Sequence, residues 1–470
     1  MPHIVERLQK LIGTDNVLTG AQVPEEATHD EALTGQPVIP LAVVRPGSTA
    51  DVSRILAEAD AAEVPVVARG AGTGLSGGSR PVANGIVVSF DRMDAIVDID
   101  VEDHVAVVQP GVTLEQLDVA LAPLDLVYPV YPGESSASLG GNVATNAGGM
   151  RAIRYGVTRH RVLGVEAVLA GGEIIRTGGR FVKSASGYDL TQLVIGSEGT
   201  LALVTEAILK LEPRLPHTAT LLAPFATLDQ VSHAVPPIVA CGVSPLILEY
   251  IDAMAMAGIT AAADLDLGVP EAVRTAASAY LVVVLESTHA DRLAGDVEAV
   301  GNLLTTLHAL EVYVLPSTAG ADLISARERA FFVSKAAGAD DLVDAVVPRS
   351  AIPAYLDAVA DHARTHGCVV SGCGHVGDGN VHLSVFQPDH ERRHQFLDAV
   401  FRTAVDLGGA VSGEHGIGIE KQEYFLDLEN PVKIALMQRI KTAFDPKGIL
   451  GPHRLVDPGD RASTGNRELP

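Results

Sequence analysis

Apolar and polar positions recur with two different periods along this chain, and the change of period marks out its elements. Ile4, Leu8 and Leu11 stand four and three apart among charged residues, which predicts a short amphipathic helix at the N-terminus. From Leu41 the pattern becomes short β-rich runs separated by helical ones: Leu41 to Val44, a helix opening at Ser48, then Val64 to Ala68. Ser48 and Asp51 form an S-x-x-D box that caps this helix. Further strands are predicted over Ile86 to Phe90, Ala95 to Ile99, Val105 to Val108 and Val162 to Leu169, the last joined through Gly171-Gly172 to Glu173 to Thr177 as a hairpin. Pro213 and Pro216 bracket a change of character, after which Thr218 to Leu222 opens a second α/β stretch running to about Asp445.

A chain of 470 residues is too long for one core. The expected division is an N-terminal helix and arm (1–35), a first domain (36–212), a second domain (213–445), a C-terminal return segment (446–457) and a flexible tail (458–470) of low apolar content. The excess of 58 acidic over 34 basic residues gives a formal charge of -24, which repels a phosphate backbone and argues against nucleic-acid binding. The sequence contains no apolar run long enough for a membrane helix and no secretion signal, so a cytoplasmic protein is expected. Cys241, Cys368 and Cys373 form no C-x-x-C pair; they are expected as buried reduced thiols rather than ligands of an iron-sulfur cluster.

Three glycine-rich segments lie in the first domain. Arg69-Gly70-Ala71-Gly72-Thr73-Gly74-Leu75-Ser76 follows a strand directly, and successive N–H groups without intervening Cβ atoms can wrap a pyrophosphate. Gly72 to Gly77 even satisfies G-x-G-x-x-G, but Ser79-Arg80-Pro81 leads to another strand instead of opening a helix, which excludes a Rossmann site. The second segment runs from Pro132 to Gly149, and the third pairs Gly187-Tyr188-Asp189-Leu190 with Gly196 to Leu201. Three such loops in one domain favour an extended dinucleotide.

The second domain carries His375-Val376-Gly377-Asp378-Gly379-Asn380-Val381-His382. Read as a hairpin with a two-residue Asp-Gly turn, it sets His375 opposite His382, with Cβ atoms about 4.5 to 5.5 Å apart, close enough to share one divalent ion. Histidines also cap and hydrogen-bond in sheets, so the pair gains weight only from a third piece. Ser412-Gly413-Glu414-His415-Gly416 supplies it, since a carboxylate would complete a His-His-Glu set with open positions for substrate oxygens. An EF-hand reading of Asp378-Gly379-Asn380 fails for want of oxygen ligands at the required spacing. The remaining carboxylates are expected as solvated surface.

On these motifs the stretch from Pro40 to Leu455 resembles the FAD-linked D-2-hydroxy-acid dehydrogenases of the vanillyl-alcohol-oxidase type, a group that includes D-lactate dehydrogenases, the flavin subunit of glycolate oxidase and D-2-hydroxyglutarate dehydrogenase. The resemblance implies an α+β fold: a two-part FAD-binding domain over 36–212 and an α/β, ferredoxin-like substrate cap over 213–445. It implies that Arg69 through Ser76 cradle the pyrophosphate, that Pro132, Ser135, Gly140, Gly141, Asn142, Thr145 and Gly149 line the flavin and ribityl path, and that Glu198 and Gly199 lie near the adenosine side. FAD is expected to be non-covalent, because the first loop has no His, Cys or Tyr to tether it. By the same resemblance His375, His382 and Glu414 hold a divalent metal, with Zn the first choice and Mn or Fe alternatives, and both histidines also face the substrate. His415 is then the general base and Arg327 grips the substrate carboxylate. No lysine stands shortly before Val347-Pro348, which counts against a dicarboxylate, and Gly451 replaces an Asn that the family uses to help close the flavin site.

The expected reaction is oxidation of a small 2-hydroxy acid, D-configured and lactate- or glycolate-like, with proton removal by His415 and hydride transfer to flavin N5. With no iron-sulfur wire, the electrons must pass to an external acceptor, a quinone or an electron-transfer protein. A homodimer is left open. Two alternatives stay open as well: D-2-hydroxyglutarate dehydrogenase within the same family, and a metal-dependent hydrolase or lyase, which would leave the three glycine-rich loops without a purpose.

Overall fold

The computed structural model describes residues 2–456, so the expected tail at 458–470 and the last residue of the return segment lie outside the described residues. The first sheet has the strand order Val17–Leu18, Ala42–Val44, Ile86–Ser89, Val66–Arg69, with the last three parallel. The helix Thr49–Ala62 makes the crossover that parallel strands require. Its cap is the predicted one, with the Ser48 hydroxyl accepting from the Asp51 N–H. Val52, Ile55, Leu56 and Ala59 bury its apolar face on Val44, Val66 and Val88, and Ile4 and Leu8 of the first helix, Pro2–Ile12, close the same core.

A second sheet is fully antiparallel, ordered Ile96–Asp100, Val105–Val108, Leu203–Lys210, Val162–Val168, Ile174–Gly178. Its last pair is the hairpin expected around Gly171-Gly172.

The third sheet begins with His217–Phe225, where the change of character after Pro213 was read. It has seven antiparallel strands in the order Tyr313–Leu315, His217–Phe225, Ala279–Ser287, Ile247–Asp252, Val369–Gly374, Asn380–Phe386, Asp341–Val346. Because strand residues alternate between faces, Val343, Val381, Leu383 and Val385 enter one core with the helices Leu228–Ala240, Ile352–His366 and His390–Asp406. The opposite face packs Ile247, Ile251 and Val282 on the helices Ala253–Ala262, Ser317–Glu328 and Ala330–Ala336, and it is this face that looks towards the glycine-rich loops.

Of the cysteines expected to be buried, Cys241 is a correction: it ends the helix Leu228–Ala240 and is exposed, whereas Cys368 and Cys373 are partly buried and all three are free. Among the described residues no helix is long and apolar enough to cross a membrane.

Candidate active site

A cavity of about 700 Å³ lies between the glycine-rich loops and the seven-stranded sheet. The loops are locked to each other by one side chain that the sequence reading passed over. Ser138 caps the helix Leu139–Thr145, and its hydroxyl accepts from the N–H of Gly141 at 3.3 Å and from that of Ala71 at 3.2 Å. A Cβ on Gly70 would stand 2.0 Å from this oxygen, so the approach of the two loops requires glycine there.

Gly70 through Ser76 border the cavity, as do Pro132, Gly140, Gly141, Asn142, Thr145 and the pair Glu198-Gly199. Three expected residues do not. The Arg69 guanidinium turns away to the His29 carbonyl, at 2.6 Å. The Ser135 carbonyl is spent on the Glu115 N–H, and Gly149 lies under the Tyr131 carbonyl, where a Cβ would meet oxygen at 1.8 Å. Gly187 to Leu190 also stay outside, with Tyr188 94% exposed. The Ser76 hydroxyl and the Asn142 amide nitrogen are buried at the cavity without a hydrogen-bond partner. Orphaned polar atoms of this kind, beside a run of free N–H groups, fit a large polar ligand such as a dinucleotide.

On the sheet side the expected register needs correction. Cys373, not His375, pairs with His382, and the connection is a five-residue turn from His375 to Gly379. The N–H groups of Asp378, Gly379 and Asn380 all point to the His375 carbonyl. A two-residue type I′ turn needs positive φ at both central residues, and only Gly379 has it, at +96°, while burial of Val376 in the core draws the chain inward. The histidines meet nonetheless, with ring centroids 4.9 Å apart. Both Nε2 atoms converge on one oxygen of Glu414, at 3.1 Å from His375 and 3.2 Å from His382. His415 stacks on His382 with centroids 5.0 Å apart, and its Nε2 is 4.0 Å from the same Glu414 oxygen.

What holds these groups are two carboxylates expected at the solvated surface, and both are fully buried. Asp344, on the strand Asp341–Val346, accepts from the Ser412 hydroxyl at 2.6 Å and from the N–H groups of Gly413, Glu414 and His415 at 3.1, 3.0 and 2.8 Å. Its other oxygen accepts from the Asn380 amide at 2.9 Å, so the Asp-Gly-Asn and Gly-Glu-His segments hang from one side chain. Glu249, on Ile247–Asp252, hydrogen-bonds the His375 Nδ1 and pairs with Arg327 at 2.9 Å. A carboxylate on the far nitrogen of a histidine fixes its tautomer and turns Nε2 outward, the usual support for a metal ligand. The available signal was a lone acidic residue inside an apolar run, in Leu246-Ile247-Leu248-Glu249-Tyr250 and again in Val343-Asp344-Ala345.

The electrostatics follow from this arrangement. Burial pushes the Glu414 carboxyl up, but the charges of His375 and His382 and their hydrogen bonds outweigh it and hold it well below the usual range. For Asp344 burial is likewise overcome, chiefly by His415 and Lys421, and its carboxyl stays ionised. His415 goes the other way. Burial lowers its imidazole to about 4 despite Asp344, leaving it neutral near pH 7 with a lone pair to accept a proton.

The segment carrying Glu414 and His415 is also stitched to the glycine-rich side. Glu198 accepts from the N–H groups of Ile417 and Gly418 at 2.8 and 2.7 Å, and the Ser76 carbonyl accepts from Ile419 and Glu420 at 2.9 and 3.2 Å. The C-terminal return is held by Arg454, nearly fully buried, which donates to the Gly78 carbonyl. Gly451 has φ +52° and stays outside the cavity; a Cβ there would meet the Thr200 methyl at 2.9 Å.

Residues 214–455 match the family model for the C-terminal domain of FAD linked oxidases, and residues 40–178 match an FAD binding domain. This chain belongs to the FAD-linked oxidases. Among members of that family it is 53% identical to an uncharacterised FAD-linked oxidoreductase of Mycobacterium tuberculosis, over 96% of this chain and 98% of the relative. It is 37% identical to a glycolate oxidase subunit of Bacillus subtilis, over 89% of each chain. It is 36% identical to a D-lactate dehydrogenase of Archaeoglobus fulgidus, over 88% of this chain and 91% of that one. The crystal structure of p-cresol methylhydroxylase shares the fold, with a TM-score of 0.79 at 19% identity over 97% of this chain and 96% of the other. This FAD-linked oxidase is therefore an oxidoreductase of α+β architecture, as its loops and motifs led one to expect.

Proposed function

We propose that this FAD-linked oxidoreductase oxidises a D-2-hydroxy acid, an acid with carboxylate and hydroxyl on adjacent carbons, of which glycolate (the achiral case) and lactate are the smallest. The observation that carries the reading is the convergence of His375, His382 and Glu414, with His415 beside them, in the cavity that the glycine-rich loops border. The printed names of the glycolate oxidase and D-lactate dehydrogenase relatives support the same substrate chemistry.

FAD along Gly70 to Ser76 and Pro132 to Thr145, without a covalent tether, supplies the two-electron acceptor. A divalent ion held by His375, His382 and Glu414, Zn first and Mn or Fe as alternatives, would supply Lewis acidity at the substrate oxygens. Arg327, bordering the cavity and oriented by Glu249, binds the substrate carboxylate through its guanidinium. His415, neutral and held over His382, takes the hydroxyl proton as C2 is oxidised. Asp344 keeps Glu414 and His415 in register by binding the backbone on both sides of their peptide bond. The electrons leave to an external acceptor, a quinone or an electron-transfer protein.

The test is an anaerobic titration of the yellow holoenzyme with D- and L-lactate, glycolate and 2-hydroxyglutarate, following the flavin absorbance. Bleaching by a 2-hydroxy acid and release of free FAD on acid precipitation are expected. A flavin that no such acid reduces would refute the reading. Elemental analysis of the same sample identifies the metal.

A further inference from the structure

Strand alternation sorts the cavity floor. Along Asn380–Phe386, Val381 and Val385 enter the core, while His382, Ser384 and Phe386 border the cavity. On the neighbouring strand Cys373 pairs with His382, Ser371 with Ser384 and Val369 with Phe386, and all three border the same space. Across the other edge Leu342 pairs with Ser384 and borders it too. At about 3.4 Å per residue the floor runs roughly 14 Å from His382 to Phe386. It reaches the surface at Val369, which is 56% exposed. Above it pack two helices, Ala253–Ala262 and Ala330–Ala336, which bring Met254, Ile259, Phe331 and Phe332 to the cavity. The space thus opens from the imidazole cluster past two small hydroxyls into an apolar slot.

Its charges point one way. Among the described residues Arg327 is the one lysine or arginine that borders the cavity, and its guanidinium serves the site end beside Glu249. Glu134 and Glu328 border the cavity as well and add negative charge, while Glu31 there is paired with Lys335 at 2.6 Å. A second carboxylate on the substrate would enter this slot without a counter-ion, which is costly in a poorly hydrated space.

The geometry points to a substrate class: a 2-hydroxy monocarboxylic acid with an apolar side chain of about four carbons or more, laid along the floor from His382 towards Phe386. This rests on the 2-hydroxy-acid reading of the site.

The test measures kcat/KM for anaerobic flavin reduction in the holoenzyme with lactate, 2-hydroxybutyrate, 2-hydroxyhexanoate and 2-hydroxyglutarate. Each buried methylene is worth about fourfold, so 2-hydroxyhexanoate should exceed lactate by at least about tenfold, with 2-hydroxyglutarate below both. Lactate or 2-hydroxyglutarate matching 2-hydroxyhexanoate would overturn the inference. Ser384→Lys, placing a cation midway along the floor, should raise 2-hydroxyglutarate relative to 2-hydroxyhexanoate by at least about tenfold, and an unchanged ratio counts against the slot. If no 2-hydroxy acid reduces the flavin, the oxidation reading fails on its own. Hexanoate shifting the flavin spectrum at lower concentration than glutarate would then uphold the apolar slot, and the reverse order would overturn it.

Discussion

On the glycine-rich side of the cavity the ligand contacts on offer come from backbone N–H groups and small side chains such as Ser76 and Asn142; on the sheet side they come from imidazoles and carboxylates held by other carboxylates. The first kind of site depends on what is missing, since close approach requires the absence of a Cβ at Gly70. The second depends on what is paired, since Glu414 keeps its charge only because the groups around it outweigh the cost of burial. A backbone site should therefore fail by crowding and a side-chain site by losing charge, and the two failures should separate in the laboratory.

The largest expected effect is on the sheet side. His415→Asn should slow flavin reduction by about 10² to 10⁴, with FAD and metal retained, because only the proton acceptor is lost. In the unmodified enzyme the neutral imidazole is present above its pKa of about 4 and is lost as the pH falls through it. Flavin reduction should decline on that acid limb, and the variant should lack the limb in a stopped-flow pH series. Metal loss in this variant would show instead that His415 is a ligand.

Asp344→Asn comes next. The amide cannot accept at both oxygens from the donors that Asp344 now serves, so metal affinity should fall by about 10- to 100-fold while FAD stays bound, read by chelator competition against flavin absorbance. Gly70→Val tests the opposite side. Its Cβ displaces the Ser138 hydroxyl, costing about 1 to 3 kcal/mol, so FAD should bind roughly 5- to 150-fold more weakly with the metal retained. Loss of both groups together in either variant would break the distinction between the two sides. The smallest effect on either ligand is expected for Gly451→Asn, outside the cavity: asparagine tolerates positive φ, but its Cβ must push the buried Thr200 methyl aside, so the thermal midpoint should fall, by about 1 to 3 kcal/mol of stability, with FAD and metal retained.

The same contrast explains what could be read from the chain beforehand. Glycine clusters are visible in a sequence because the residue type is itself the device, so the loop from Gly70 to Ser76 was found without knowing its neighbours. The imidazole pair was legible from His375 and His382 even though the turn between them was assigned two residues instead of five. Asp344 and Glu249 were not legible as members of the site. Each lies far along the chain from the residue it supports, and a carboxylate inside a strand is indistinguishable from an outward-facing one until sheet order is known. Arg69 was misplaced for the related reason that a cradle of N–H groups needs the backbone of that segment and says nothing of where the long side chain goes.

The hydrogen bonds from Ile417 and Gly418 to Glu198, and from Ile419 and Glu420 to Ser76, give the two halves of the cavity a common segment of chain. Free energy spent by one ligand in ordering that segment need not be spent again by the other. Linkage makes this symmetrical: whatever factor bound FAD gains in the presence of the ion, the ion gains in the presence of FAD. Under the proposed ligation, FAD and the ion should then each bind more tightly to protein that already holds the other.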